Sequence, residues 1–105
     1  LSIASAQNDE DEKLAMARAA AALIARWGVL SETAARLLEG EGRAAAMLGI
    51  HRALRCIFVD SDRAARWIGA PNEAFGGVCA LDLMLADGLE GMQRVEAYLD
   101  AEIAS

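Results

Sequence analysis

Few residues in this chain could do covalent chemistry. There are two cysteines, Cys56 and Cys79, and a single histidine, His51. The thiols lie far apart with no CxxC spacing, so they read as reduced, largely buried cysteines of a cytoplasmic protein rather than as metal ligands or a redox pair. His51 stands between Ile50 and Arg52 with no Cys or His at ligand spacing. It reads as a solvated or hydrogen-bonded side chain. No nucleophile–base pair, paired-carboxylate site or metal cluster has convincing spacing. Gly76-Gly77 lacks the GxxxxGK[ST] or GxGxxG pattern that cradles phosphates. The expectation is a protein that is not an enzyme, with no catalytic residue, metal or cofactor of its own.

Binding chemistry is better represented, and it gathers in Trp67–Leu85, WIGAPNEAFGGVCALDLML. Pro71, the only proline, has no backbone N–H and pushes Ala70 out of helical geometry, so a helix carrying Trp67 should stop near Gly69. Asn72 closes turns by bonding nearby backbone. Phe75 follows, then Gly76 and Gly77, which turn the chain where other residues could not. Trp67 and Phe75 have two readings: they pack this turn onto the final helix, or they are exposed anchors for a partner. Asp82 and Asp87 suit helix-end roles or pairing with a basic partner surface. Asp100, Glu102 and Ser105 make the last turn acidic, either as a solvated helix end or as a group that enters an anion-binding cleft.

The elements that position these residues are helical. Alanine, the best helix former, accounts for 24 of the 105 residues. Residues 1–8 read as a frayed lead-in, with Asn8 to Glu12 placing anions at a helix start. A helix then runs to Trp27 and ends at Gly28, with Met16, Ala20, Leu23 and Trp27 on one face and Leu14, Ala17, Ala21 and Ile24 beside it. Ser31 reads as the N-cap of a helix over Glu32–Glu39. Arg43–Phe58 carries an apolar stripe of Met47, Ile50, Leu54 and Ile57. Asp60 caps a short helix, Ser61–Ile68, and Leu81–Leu85 restarts a helical segment after the turn. Asp87-Gly88 breaks the chain before a final helix from Leu89 to about Ile103, flanked by Tyr98. No strand is convincing. The fold class is an all-α small bundle.

Charge narrows the partner. The net charge is −6, a poor match for a phosphate backbone and a better one for a protein with a basic or anion-handling surface. No run approaches the roughly 20 apolar residues needed to span a bilayer, so no membrane role is expected. Leu1 is not a methionine, which suggests a processed or truncated start, and nothing after it resembles a secretory signal.

Three pieces occur in fixed order: Leu48-Gly49-Ile50-His51-Arg52-Ala53-Leu54, then Trp67 to Met84, then Val95-Glu96-Ala97-Tyr98-Leu99-Asp100. Together they resemble the toxin-binding domain of the Xre/MbcA/ParS antitoxins, in which an LGI-x-x-AL helix, a W-x-x-x-PN-x-x-(F/L)-GG turn, a PLDLM helix and a V-x-x-YL helix follow one another. The resemblance covers residues 43–105. It implies an antitoxin of a type II toxin–antitoxin pair whose partner is a RES-domain toxin, an NAD-depleting enzyme, with the antitoxin's C-terminal domain covering the toxin's active-site cleft. It implies a homodimer within a hetero-oligomeric complex. It also implies an N-terminal helix-turn-helix-like part over residues 1–42, used for dimerisation and often for repressing the operon. The partner-binding candidates are then Trp67, Pro71, Asn72, Phe75, Gly76, Gly77, Asp82, Tyr98, Asp100 and Ser105.

The chain departs from that pattern in two places. Cys79 and Ala80 stand where family members have Ser or Thr and then Pro. Roughly 15 residues, on the order of one helix and its turns, are absent between Leu38 and Met47. No recognition helix is visible, which weakens the alternative of a DNA-binding autorepressor acting on operator DNA. A helical scaffold without a toxin partner is the third reading.

Overall fold

The computed structural model describes residues 2–105, with side chains from residue 9 onward. It contains six α-helices: α1 Ser2–Arg26, α2 Ser31–Leu37, α3 Arg43–Ile57, α4 Ser61–Gly69, α5 Ala80–Asp87 and α6 Leu89–Ala104. One 3-10 turn, Glu73–Phe75, sits between α4 and α5. Among the described residues there is no strand, only an isolated bridge between Pro71 and Cys79. The all-α expectation holds.

Helix α3 lies along α6, the most extensive pairing in the fold; α1 packs on α3, and α5 on α6. Of the stripe expected of α3, Met47, Ile50 and Leu54 are almost fully enclosed, while Ile57 at the helix end is half-buried against the core. From α6 come Met92, Val95 and Leu99, from α5 Met84, from α4 Ile68, and from α1 and α2 Ile24 and Leu37. Each such side chain contributes about 1.5–3 kcal/mol by leaving water, set against roughly 1–2 kcal/mol of backbone entropy for every residue ordered. These residues form one contiguous cluster. No polar or charged residue is buried among those described.

Small residues allow the helices to approach closely. A Cβ at Gly91 would lie 2.5 Å from the Leu83 carbonyl oxygen, so α6 starts against the backbone of α5. At Gly49 a Cβ would collide with the carboxylate of Glu96 on α6. Ala20, Ala34, Ala53, Ala64 and Ala80 are likewise buried. High alanine content here serves packing as much as helix propensity.

Several local expectations need correction. The first helix begins at Ser2, so Asn8–Glu12 lies inside it rather than at its start. Nothing in residues 2–8 is Gly or Pro, and alanine-rich sequence lets a helix propagate upstream until something stops it. Leu1 lies outside the described residues. On the same helix Leu14 and Met16 are exposed, because only the half from Ala17 onward meets the core. Ser31 is the first residue of α2, not its cap; Leu30 takes the cap position without any side-chain bond, and the helix ends at Leu37 rather than Glu39. Cys56 is exposed, not buried, while Cys79 is half-buried and both thiols are free. Residue 56 follows the buried Leu54 by two, which on a helix is about 200° around the axis. Asp60 caps α4 as expected, accepting from the Asp62 N–H at 2.9 Å.

Candidate partner-binding surface

The turn after α4 is a closed loop fastened by its own backbone. Ala70 leaves the helix in an extended conformation (φ −89°, ψ 139°), the geometry that Pro71 imposes on the residue before it. The Asn72 N–H donates to the Val78 carbonyl at 3.1 Å, and the Gly77 N–H donates back to the Asn72 carbonyl at 3.0 Å. The Asn72 side chain accepts from the Ala74 N–H at 2.9 Å and caps the 3-10 turn. Gly76 and Gly77 both have positive φ, +75° and +91°, a region that a side chain would strain. The Phe75 N–H also donates to the Asn72 carbonyl at 3.0 Å, so four bonds run through Asn72, in the turn-closing role its residue type suggested.

The loop is held to the bundle by aromatic rings. Phe75 is 4 % exposed and meets Tyr98 of α6 edge-on, with centroids 5.3 Å apart. Trp67 of α4 stacks on Tyr98 at 6.0 Å and meets the edge of Phe75 at 6.2 Å. All three separations fall in the favourable range for aromatic pairs, each worth about 0.5–1.5 kcal/mol beyond area burial. Of the two readings for Trp67 and Phe75, packing the turn onto the final helix is the one observed. Trp67 and Tyr98 remain half-buried, so each keeps part of its surface accessible.

Arg94 was not legible as part of this site. Its guanidinium donates to the Ala74 carbonyl at 3.1 Å and lies 5.8 Å from the centre of the Phe75 ring. That is a hydrogen bond and a cation–π contact from one side chain. The available signal was spacing: Arg94 and Tyr98 are four apart on α6 and share a face. Val78, 42 % exposed, adds an apolar side chain to the loop although no motif marks it.

The other candidates scatter. Pro71, Gly76 and Gly77 are exposed on the loop. Asp82 is exposed in the first turn of α5, where a carboxylate complements the helix dipole. Its backbone N–H bonds to Cys79 Sγ at 3.4 Å, so Cys79 occupies the capping place that the departure from Ser or Thr assigned to it. Asp100 is not part of the aromatic cluster; it lines a groove with Gly49, Arg52, Cys56, Glu96 and Ile103 between α3 and α6. Ser105 is exposed, its hydroxyl bonded to the Ala101 carbonyl at 2.9 Å. Asp82 is tied to the end of the loop through Cys79, whereas Asp100 lines the separate groove between α3 and α6. Among the described residues no group of His, Cys, Asp and Glu could hold a metal ion, and no helix is long and apolar enough to cross a membrane.

Comparison with known proteins bears on this same region. The C-terminal toxin-binding domain of the Xre/MbcA/ParS antitoxins matches residues 53–102, the stretch that runs from within α3 through α4, the loop and α5 into α6. An uncharacterized protein of Sinorhizobium fredii, y4oB, is 45 % identical over 56 residues, which is 53 % of this chain and 43 % of that protein. The chain therefore spans less than half the length of that relative. No solved structure matches significantly.

Proposed function

We propose that this chain is the antitoxin of a type II toxin–antitoxin pair and neutralises an NAD-depleting RES-domain toxin by occluding its active-site cleft. The observation that carries this reading is the match of residues 53–102 to an antitoxin toxin-binding domain. It is supported by the closed loop at Pro71–Cys79, in which Pro71, Glu73, Ala74 and Val78 are exposed beside the half-buried Trp67 and Tyr98. Apolar groups rimmed by Glu73 and Asp82 suit a cleft built for an anionic dinucleotide, and an interface of ordinary size would bury about 1,600 Å² in total. In this reading the chain works as a homodimer within a hetero-oligomeric complex, with residues 43–105 as the toxin-binding unit.

Truncation before Leu89 is a poor test. It removes Met92, Val95 and Leu99 from the core, so neutralisation would be lost through unfolding alone. Substitutions on the exposed loop are cleaner, and Val78→Asp should leave the fold intact while weakening neutralisation. The deciding experiment expresses the adjacent reading frame with and without this chain and follows growth together with cellular NAD. Growth arrest with NAD collapse, rescued by the chain, is the expected result. Absence of toxicity and of any NAD change would overturn the proposal. The DNA-binding alternative gains nothing from the fold: α2 leads through a tight loop into α3, whose apolar face is spent on the core.

A further inference from the structure

A second site lies away from the aromatic cluster. Between the end of α1, α3 and the start of α4 is a cavity of about 50 Å³, whose lining includes Arg26, Trp27, His51, Arg55, Phe58 and Ser61. No carboxylate lines it, although the chain carries 16 acids against 10 Lys and Arg. Asp60, beside Ser61 in sequence, has its carboxylate turned to the Asp62 N–H as the cap of α4. Among the described residues, neither Arg26 nor Arg55 has a hydrogen-bond or ion-pair partner through its side chain. Two arginines and a histidine thus line one small space that no carboxylate lines.

We propose that this cavity binds a phosphoryl group, held by the guanidinium groups of Arg26 and Arg55 with His51 as a third donor. Size sets the first limit. A water molecule takes up about 30 Å³ of liquid, so the cavity admits one small polyatomic group, and the rest of any larger ligand stays outside. Charge sets the second. A phosphate monoester carries about −1.5 to −2 near neutral pH, which matches two guanidinium groups that stay protonated throughout the accessible range; a carboxylate would leave one of them uncompensated. The half-buried rings of Trp27 and Phe58 line the same cavity. Consistent with this geometry, the His51 imidazole is held below its ordinary value, first by burial and then by Arg55 and Arg26. An anion between them reverses that Coulomb effect and stabilises the imidazolium. Arg26 and Trp27 lie outside the stretch shared with antitoxins and Arg55, Phe58 and Ser61 inside it; the test below involves no toxin, so its outcome is separate from that of the proposed function.

The test follows the ring signal of His51, the only histidine, by NMR in the full chain as pH is varied. Sulfate serves as a tetrahedral dianion that does not itself titrate in this range, and chloride at matched ionic strength is the control. The His51 midpoint should rise by about one unit in sulfate. That rise should vanish in the double variant Arg26→Gln, Arg55→Gln, whose helix content by circular dichroism stays unchanged because both side chains are exposed. Equal midpoints in sulfate and chloride overturn the proposal, as does an equal rise in acetate or one produced by duplex DNA alone. At pH 7.5, a saturable shift of the same signal with inorganic phosphate or with a nucleoside 5′-monophosphate supports it, and whichever acts at lower concentration tells a free ion from a phosphorylated small molecule.

Discussion

Replacing Gly91 by alanine tests the closest approach in the fold. On helix propensity alone the change should stabilise α6 by about 1 kcal/mol, because glycine in a helix interior costs that much relative to alanine. The structure demands the opposite sign. The new Cβ would stand 2.5 Å from the Leu83 carbonyl oxygen and 3.1 Å from its carbonyl carbon. Both are backbone atoms, and no rotamer change relieves them. Helices α5 and α6 would have to separate, loosening Met84 against Met92 and Val95 in the same core. Overpacking of this kind costs about 1–3 kcal/mol, occasionally more, and a backbone clash belongs at the upper end. After the propensity gain, a net loss of about 2 kcal/mol is expected, which for a domain of this size lowers Tm by roughly 8–16 °C. Urea unfolding followed by circular dichroism measures it. Gly69→Ala is the internal control: no atom lies within 4 Å of the new Cβ, so that variant should be neutral or slightly more stable. A Gly91→Ala protein as stable as the parent would show that α5 and α6 do not meet as described.

Phe75→Ala removes a buried ring and two aromatic contacts and should cost about 3–5 kcal/mol in urea unfolding; a loss below about 1 kcal/mol would mean that the loop is not anchored by it. Asp60→Ala should cost about 1 kcal/mol through the lost cap of α4, read the same way. Cys79→Ser places a better acceptor opposite the Asp82 N–H and should raise stability by a few tenths to about 1 kcal/mol; a marked fall would argue against a capping role. For His51 the folded value lies below the unfolded one. Its contribution is therefore intact above about pH 6.5 and is lost as pH falls, because the unfolded chain takes up the proton first. His51→Gln should flatten the stability profile just below pH 6.5; an unchanged profile would show that the imidazole is not disfavoured as a cation in the fold.

What could be read in advance was whatever local chemistry dictates. Pro71 ends α4, Asp60 caps it, Asn72 closes the turn and Gly88 separates α5 from α6, each through bonds within a few residues. The α3 stripe was legible because burial follows helical phase. The same phase argument places Cys56 opposite Leu54, and a general tendency of cysteine to be buried is weaker than that geometry. The start of α1 was obscured by its acids, which favour a helix N-terminus but do not require one. Long-range partners left the faintest trace. Arg94 reaches a carbonyl 20 residues away, and Arg26 meets His51 only because α1 packs on α3. Arg55 alone, four residues after His51, hinted at that convergence.

The loop from Pro71 to Cys79 has a kinetic consequence. A segment fastened at Asn72 and weighed down by Phe75 is not built as a hinge between α4 and α5. Its backbone freedom, about 1–2 kcal/mol for each residue, is surrendered when the chain folds rather than when it is met by another molecule. The Asn72 and Gly77 amides should accordingly exchange slowly with solvent although their neighbours Gly76 and Val78 are exposed. Association at this surface would then show a single phase with no slow ordering step, and affinity would be tuned mainly through the rate of departure.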